Sequence, residues 1–247
     1  MLKACLNGGR RRDEHPAVPL TPAELAADAA RCAAAGVAAV HVHPRDDSGV
    51  ESLDPAVIAA AVDAVRAACP GLPVGVSTGA WIVPDPAERV AAVRAWSVRP
   101  DFASVNAHEP GAAAVAAALH ERGVMVEAGL WTMAAVDAWR RWPTPTGRVL
   151  VECMAEPEEA ALADAVAILA ALPSGCPPVL LHGEGPATWP VFAEAVRRGL
   201  HTRIGLEDTL LLPDGSRAPD NTALVSAARA IMLRGMGSEQ PGNVTLG

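Results

Sequence analysis

Hydrophobic and polar positions follow two alternating patterns along the chain. Short runs rich in Val, Leu, Ile and Ala, typical of buried β-strands, are each followed by a longer Ala-rich stretch with the spacing of an amphipathic helix. Strands are predicted at residues 2–6, 37–42, 73–77, 102–105, 124–128, 148–153, 178–181 and 202–206. Helices are predicted at residues 21–35, 53–69, 85–96, 110–122, 133–142, 156–172, 187–198 and 221–233.

Three of the predicted helices begin at sequences that favour a first helical turn. In Thr21-Pro22-Ala23-Glu24 the threonine is a capping residue, the proline occupies the first helical position and the glutamate completes a capping box. Asp54-Pro55 and Asp85-Pro86 repeat the capping residue followed by proline. These starts support the division of the chain into strand–helix repeats.

Eight strand–helix repeats in 247 residues predict the fold class. Regular alternation indicates parallel strands joined by right-handed crossovers, and eight units of this size fit a single (β/α)8 barrel (TIM barrel). An open dinucleotide-binding sheet would typically carry G-x-G-x-x-G after its first strand, whereas this chain has Leu6-Asn7-Gly8-Gly9-Arg10. We therefore expect one domain over residues 1–247, with residues 235–247 as a polar C-terminal tail.

Composition excludes several classes of partner. The net charge is −8 and aromatic residues make up only 3%, so the chain lacks both the basic surface and the stacking faces that favour nucleic acid. No apolar run reaches the roughly 18 residues of a membrane span. Residues 1–12 lack the apolar core of a signal peptide, and the five cysteines are scattered, which together predict a reducing cytoplasm.

Polar residues at the predicted strand ends are the candidate chemistry, because barrel active sites form at the C-terminal ends of the strands. His41 and His43 lie one strand period apart and therefore share a face, which makes them a half-site for zinc or another divalent metal. Glu207, after the last strand, would complete a set that leaves coordination positions open. Asp208 would face elsewhere and is a candidate base, and Arg203 lies deeper along the same strand. Unrelated polar residues at strand ends are the alternative interpretation.

The other strand ends are weaker candidates when each is taken alone. Ser77-Thr78-Gly79 offers hydroxyls and backbone N–H groups that suit a carboxylate or phosphate. Arg10-Arg11-Arg12 fits either a solvated loop or a grip on an anion such as a carboxylate or a CoA phosphate. Further polar residues at strand ends are Ser104, Asn106, Glu127, Glu152, His182 and Glu184.

Taken in order, these motifs resemble the β-keto acid cleavage enzymes, a family of zinc-dependent (β/α)8 barrels. The resemblance extends along nearly the whole chain and rests on a combination of motifs. They are Pro19-Leu20-Thr21-Pro22-Ala23-Glu24, His41-Val42-His43, Ser77-Thr78-Gly79, Ser104-Val105-Asn106 and Arg203-Ile204-Gly205-Leu206-Glu207-Asp208.

The resemblance implies a function and a role for each residue. His41, His43 and Glu207 would bind Zn²⁺, with Asp208 as the catalytic base and Arg203 supporting the reacting site. A β-keto acid and the co-substrate acetyl-CoA would give acetoacetate and a new acyl-CoA, in a homo-oligomer, either a tetramer or a dimer. The residues expected to bind or line the keto acid are Ser77, Thr78, Gly79, Ser104, Asn106, Glu127 and Arg10.

The chain departs from the family pattern at two positions and is shorter than typical members. Arg10 stands where the family has a glutamate, and Gly129 replaces the second glutamate after the fifth strand. Two alternatives therefore stay open. One is a zinc aldolase or hydrolase on the same barrel that does not use CoA, and the other is a non-catalytic barrel that binds a metabolite.

Overall fold

The computed structural model describes residues 1–154 and 156–237, in which strands and helices alternate. The strands are β1 (Leu2–Cys5), β2 (Ala39–Val42), β3 (Val74–Ser77), β4 (Phe102–Asn106), β5 (Met125–Leu130), β6 (Arg148–Cys153), β7 (Val179–Gly183) and β8 (Thr202–Ile204). The helices are α1 (Pro22–Ala34), α2 (Pro55–Ala68), α3 (Pro86–Ala95), α4 (Ala112–Glu121), α5 (Met133–Trp139), α6 (Glu158–Ala171), α7 (Thr188–Arg197) and α8 (Asn221–Gly237). A turn of 3₁₀ helix, Gly185–Ala187, precedes α7.

The eight strands form one parallel sheet that closes on itself. Neighbouring strands follow the order β7-β6-β5-β4-β3-β2-β1-β8. The two edges meet just before β8, where the His201 N–H donates to the Val179 carbonyl over 3.1 Å and the Leu181 N–H donates to the His201 carbonyl over 2.9 Å. The predicted single (β/α)8 barrel is therefore confirmed.

The strand register decides which side chains enter the barrel. In β2 the side chains of Val40 and Val42 pack in the hydrophobic core between sheet and helices, so the alternate residue His41 points inward. Its register partners are Cys5 on β1 and Gly75 on β3, which share the inward face. Inward residues near the C-terminal strand ends therefore meet at one mouth.

Beneath that mouth the barrel is filled by a charged and aromatic layer. The Lys3 ammonium lies 2.7 Å from Glu127 Oε2 and 5.1 Å from the centroid of the Phe102 ring. Arg148 pairs with the other oxygen of Glu127. A Cβ atom on Gly75 would lie 1.9 Å from the Phe102 ring, so only glycine leaves room for that ring inside the barrel. This layer is the floor of the site.

The helix starts that the sequence predicts are also observed. The Glu24 N–H donates to Thr21 Oγ1 over 3.3 Å and the Thr21 N–H donates to Glu24 Oε2 over 3.0 Å, so the capping box at α1 is complete. Asp54 and Asp85 accept hydrogen bonds from the backbone N–H two residues further on. Local signals in the sequence therefore set these boundaries.

Several boundaries differ from those predicted, and three of the differences bear on the site or on the C-terminal tail. Strand β5 continues to Leu130, which places Glu127 in the middle of the strand rather than at its end. Strand β8 stops at Ile204 because the chain turns at Gly205, where a Cβ atom would lie 1.8 Å from the Cys5 carbonyl oxygen. Helix α8 continues to Gly237 and so includes the first residues of the predicted 235–247 tail, whereas residues 238–247 lie outside the described chain.

The predictions about the cysteines and about membrane-spanning segments can be compared with the structure. All five cysteines are free thiols, and four of them are buried. Within the described ranges, none of the helices has the length and apolarity needed to cross a membrane.

The buried floor predicts a large stability difference between two chemically equal substitutions. Glu127→Gln leaves the buried Lys3 without a counter-charge and should destabilise the fold by about 3–5 kcal/mol. Glu121→Gln removes a carboxylate that pairs with Arg94 where both side chains are 55% exposed, and should cost less than about 1 kcal/mol. Urea unfolding of both variants measures the difference. Equal losses would contradict a charged floor that supports the barrel.

Candidate active site and metal centre

Three potential metal ligands converge at the barrel mouth. His41 lies on the inward face of β2 near the end of the strand, and His43 directly follows that strand. Glu207 lies in the turn after β8. The two Nε2 atoms are 3.1 Å apart, and Glu207 Oε2 lies 3.9 Å from His41 Nε2 and 3.6 Å from His43 Nε2. In the described chain these residues form a group able to hold a metal ion.

The geometry of this group fits a divalent cation. At zinc bond lengths of about 2.0–2.1 Å, tetrahedral ligand atoms lie about 3.3 Å apart, close to the observed separations. Glu207 Oε2 is buried and has no hydrogen-bond partner, which is costly unless a cation accompanies it. Three protein ligands leave a coordination position open, as in catalytic zinc sites.

Residues around the group fix its orientation. Asn7 Nδ2 donates to the His43 carbonyl and Asn7 Oδ1 accepts from the His43 N–H, both over 2.9 Å, so the ends of β1 and β2 are held together. Glu51 contacts His43 Nδ1, which leaves Nε2 facing the other ligands. A Cβ atom on Gly8 would lie 2.5 Å from Glu207 Cγ, so glycine is needed for this close approach.

Charges within the group shift its ionisation. Burial lowers the pKa of His41 well below its usual value. Burial alone would also lower the pKa of His43, but the carboxylates of Glu207 and Glu51 outweigh it and raise the pKa to about 9. Burial would raise the pKa of Glu207, yet Arg203 and the two imidazoles hold it well below its usual range. Glu207 is therefore anionic, as a carboxylate ligand of a metal ion must be.

The predicted catalytic pair, Arg203 and Asp208, lies directly beside the candidate metal ligands. Arg203 Nη2 contacts Glu207 Oε1 at 3.0 Å and Asp208 Oδ1 at 2.7 Å, so one guanidinium bridges both acids. Asp208 is fully buried and its Oδ2 has no hydrogen-bond partner. Burial raises the pKa of Asp208 to about 6, against the opposing effect of Arg203. A carboxyl with a pKa near neutrality suits proton transfer.

A cavity of about 390 Å³ opens above these residues and contains four of the seven predicted substrate residues. Ser77, Ser104 and Asn106 line it from β3 and β4, and Arg10 lines it from the loop after β1. Arg10 Nε donates to the Leu206 carbonyl over 2.9 Å, and this hydrogen bond holds the guanidinium near the mouth. Arg203 and the three candidate metal ligands also line the cavity.

Thr78 and Gly79 lie behind the cavity wall rather than in it. The Thr78 hydroxyl donates to the Ser104 carbonyl over 2.8 Å, and its side chain is fully buried. A Cβ atom on Gly79 would lie 2.3 Å from the Trp81 ring, so the glycine makes room for this tryptophan. Both residues shape the wall through their neighbours.

Glu127 is placed differently from the sequence-based expectation. It was expected near the mouth, among the residues that bind substrate, but its carboxylate is buried in the floor with Lys3 and Arg148. The physical reason is the length of β5, which continues to Leu130 and leaves Glu127 below the mouth. We therefore replace its predicted role as a substrate ligand with a structural one.

Three cavity or supporting residues, Glu51, Trp81 and Trp131, were not identified as candidates from the sequence. Glu51 returns to His43 because the loop after β2 turns back at 46–50, where the Asp46 N–H donates to the Val50 carbonyl. The Asp-Ser-Gly sequence in this loop is a turn signal that could have revealed this. Trp81 stacks on His43 with ring centroids 6.3 Å apart. Trp131 also lines the cavity, and no local pattern indicates it. Glu14, which follows Arg10 in the loop after β1 and could substitute for the family's glutamate, lines the cavity as well.

The fold and the site together define a (β/α)8 barrel with a candidate metal centre and a buried acid–arginine pair at its mouth. A family model described as "beta-keto acid cleavage enzyme" matches residues 1–239. The chain belongs to the β-keto acid cleavage enzyme family.

The chain is similar in sequence to curated relatives and similar in fold to solved structures. The chain is 26% identical to the 3-keto-5-aminohexanoate cleavage enzyme of Fusobacterium nucleatum, with 91% of this chain and 88% of the relative covered. It is 25% identical to the enzyme of that name from Acetoanaerobium sticklandii, with the same coverage of 91% and 88%. The apo structure of ObcA matches with a TM-score of 0.72 at 19% identity, over 90% of this chain and 63% of that chain. The latter similarity supports the fold alone.

The contact between Glu51 and His43 predicts a loss of metal affinity on mutation. Glu51→Gln should weaken Zn²⁺ binding by about 10–100-fold, because a carboxylate partner fixes and activates a histidine ligand. Glu14→Gln is the matched control, since Glu14 lines the same cavity but pairs with Arg10. Chelator competition gives both affinities. Equal affinities would show that Glu51 does not support the metal centre.

Proposed function

We propose that the protein catalyses zinc-dependent cleavage of a β-keto acid with acetyl-CoA, giving acetoacetate and a new acyl-CoA. The observation that carries the proposal is the convergence of His41, His43 and Glu207 at one side of a cavity. Family membership supports the reaction class, and the names of the curated relatives support a keto acid substrate. Another divalent metal in place of zinc would fit the same ligands.

In the proposed reaction the bond between C2 and C3 of the keto acid breaks, and C2 with its carboxylate receives the acetyl group. The remaining acyl group leaves on the CoA sulfur, so atoms balance. Zinc, when bound, would polarise the ketone oxygen and stabilise the charge that develops there. The hydroxyls of Ser77 and Ser104 are placed to bind the keto acid from β3 and β4.

Arg203 and Asp208 form the proposed proton-transfer pair. Asp208 Oδ2 is the unpartnered atom that would accept or return a proton, and its pKa of about 6 allows both states near neutrality. Arg203 donates to Asp208 Oδ1 from Nε over 2.9 Å and so fixes the carboxyl plane. Arg10, which also lines the cavity, is proposed to hold an anionic group of the keto acid or of the CoA ester.

We further propose that the enzyme works in the cytoplasm as a homo-oligomer, a dimer or a tetramer. Four buried free thiols support a reducing compartment. The assembly rests on resemblance to the family. Its partners would be small molecules, namely a keto acid and a CoA ester.

The proposed reaction predicts turnover that depends on both metal and CoA. Incubation of the zinc-loaded protein with a panel of β-keto acids should form an acyl-CoA, detected by mass spectrometry, only when acetyl-CoA is present. His41→Ala should lower this rate by at least about a hundredfold, because metal stabilisation is worth several kcal/mol. His120→Ala, on an exposed position of α4, is the control and should keep the rate.

Two results would contradict the proposal in different ways. Keto acid turnover that ignores acetyl-CoA would favour the aldolase or hydrolase alternative. If the unmutated protein cleaves none of the keto acids in the panel and His41→Ala only loses metal, a metabolite-binding barrel is favoured.

A further inference from the structure

The segment that follows β7 holds the main chain of the candidate base Asp208. The Gly185 N–H donates to the Asp208 carbonyl over 2.8 Å, and the Thr188 hydroxyl donates to the same oxygen over 3.1 Å. A Cβ atom on Gly183 would lie 2.7 Å from the Ala187 carbonyl oxygen, so glycine lets this segment turn tightly. The loops after β7 and β8 are therefore fixed to each other at Asp208.

The side chain of His182, in β7, faces the carboxyl group of the same aspartate. Its Nδ1 lies 3.7 Å from Asp208 Oδ1, and its Nε2 lies 3.7 Å from Glu152 Oε2 on the neighbouring strand β6. Glu152 and His182 are register partners, so both side chains point to the inward face of the barrel. The ring therefore lies between one acid that lines the cavity and one that is fully buried.

The imidazole of His182 is a polar group for which the proposed reaction has no use. The residue is 1% exposed, and both ring nitrogens are buried without a hydrogen-bond partner. Such burial is costly, so packing alone would favour an apolar side chain at this position. The separations of 3.7 Å are longer than a direct hydrogen bond, but contacts of this kind at catalytic sites often tighten only when substrate binds.

The two acids set the orientation of the ring. A rotation of the imidazole by 180° would turn carbon atoms, in place of both nitrogens, toward Glu152 and Asp208. In the observed orientation a proton on Nδ1 is directed at Asp208 Oδ1, because a protonated ring nitrogen is a hydrogen-bond donor.

The two carboxylate oxygens of Asp208 have different surroundings. Oδ1 accepts from Arg203 Nε over 2.9 Å and lies 2.7 Å from Arg203 Nη2, and His182 Nδ1 faces the same oxygen. Oδ2 is buried without a partner. Donors therefore collect at Oδ1 and leave Oδ2 as the oxygen that is free to take up a proton.

We propose that His182 is a positioning residue for Asp208, donating from Nδ1 to Oδ1 when substrate is bound and so directing Oδ2 at the substrate. The inference rests on the proposed function, in which the C2–H bond of the keto acid breaks, the electron pair stays on C2 and Asp208 keeps the proton until it returns to that carbon. Arg203 approaches Oδ1 from β8, whereas His182 adds a contact from another strand and so restrains the carboxyl group more tightly. Glu152 holds the opposite side of the ring.

Three substitutions of His182 separate positioning from packing, with acyl-CoA formation measured on the keto acid that the unmutated protein cleaves fastest. His182→Asn places an amide nitrogen near the position of Nδ1 and should keep kcat within about threefold. His182→Gln places it near Nε2, and this variant and His182→Leu should lower kcat at least about tenfold while KM stays within about twofold. His120→Gln, at an exposed position of α4, is the control and should keep both constants.

Two further measurements identify the affected step. With the keto acid deuterated at C2, the primary isotope effect on kcat should be larger in His182→Gln than in the unmutated protein, because proton transfer then limits the rate. A folding defect would lower the active fraction without changing that ratio. Zinc affinity from chelator competition should stay within about twofold, because His182 lies beside Asp208 and not among the candidate metal ligands.

Several outcomes would overturn the inference. These are an equal kcat in the three His182 variants, a higher kcat in His182→Gln than in His182→Asn, and an unchanged isotope effect. Circular dichroism checks the fold, and if His182→Leu is not folded, the two amide variants decide the question. Cleavage at the full rate in every variant would overturn this inference alone. An unmutated protein that forms no acyl-CoA would contradict the proposed function and overturn the inference with it.

Discussion

The guanidinium of Arg203 lies between two consecutive acids, the partly buried Glu207 and the fully buried Asp208, and the rest of the site depends on this arrangement. Two neighbouring carboxylates without a counter-charge would repel one another, and one would take up a proton. With Arg203 in place, Glu207 stays anionic and faces the histidines, while Asp208 turns toward His182, whose Nδ1 is 3.7 Å from its Oδ1. One cation thus separates the candidate metal ligand Glu207 from the candidate base Asp208.

The barrel provides this arrangement through its register. Arg203 is the register partner of Lys3, so the cation beside the metal ligands lies next to the charged floor that contains Glu127. The turn at Gly205 then brings Glu207 up to the mouth, and Gly8 allows its close approach. The polar interior is therefore layered. The ion pairs of Glu127 form the floor, and the candidate metal ligands lie at the mouth.

Much of this could be predicted from the sequence, because periodicity and strand ends are local properties. The alternation of strand and helix patterns predicted the barrel, and the position of His41 and His43 at one strand end predicted that they would meet Glu207. Depth within a strand is not local. The extension of β5 beyond residue 128 moved Glu127 from the mouth to the floor.

Contacts made by returning loops could be predicted only in part, because the Asp-Ser-Gly sequence indicates the turn after β2 but not which residue Glu51 contacts. Glu51 reaches His43 only because its loop turns back, and Trp81 covers Gly79 only because a glycine leaves room. His182 was visible as a polar residue at a strand end, but the lack of a hydrogen-bond partner at both of its ring nitrogens is a property of the folded interior. Such features depend on the three-dimensional packing of several elements at once.

A crystal structure of the protein grown with zinc, with anomalous scattering recorded at the zinc edge, tests the central claim most directly. The account predicts one anomalous peak at the barrel mouth, about 2.0–2.2 Å from Nε2 of His41, Nε2 of His43 and a carboxylate oxygen of Glu207. A peak bound elsewhere, or a mouth without metal when these three side chains keep their positions, would contradict it.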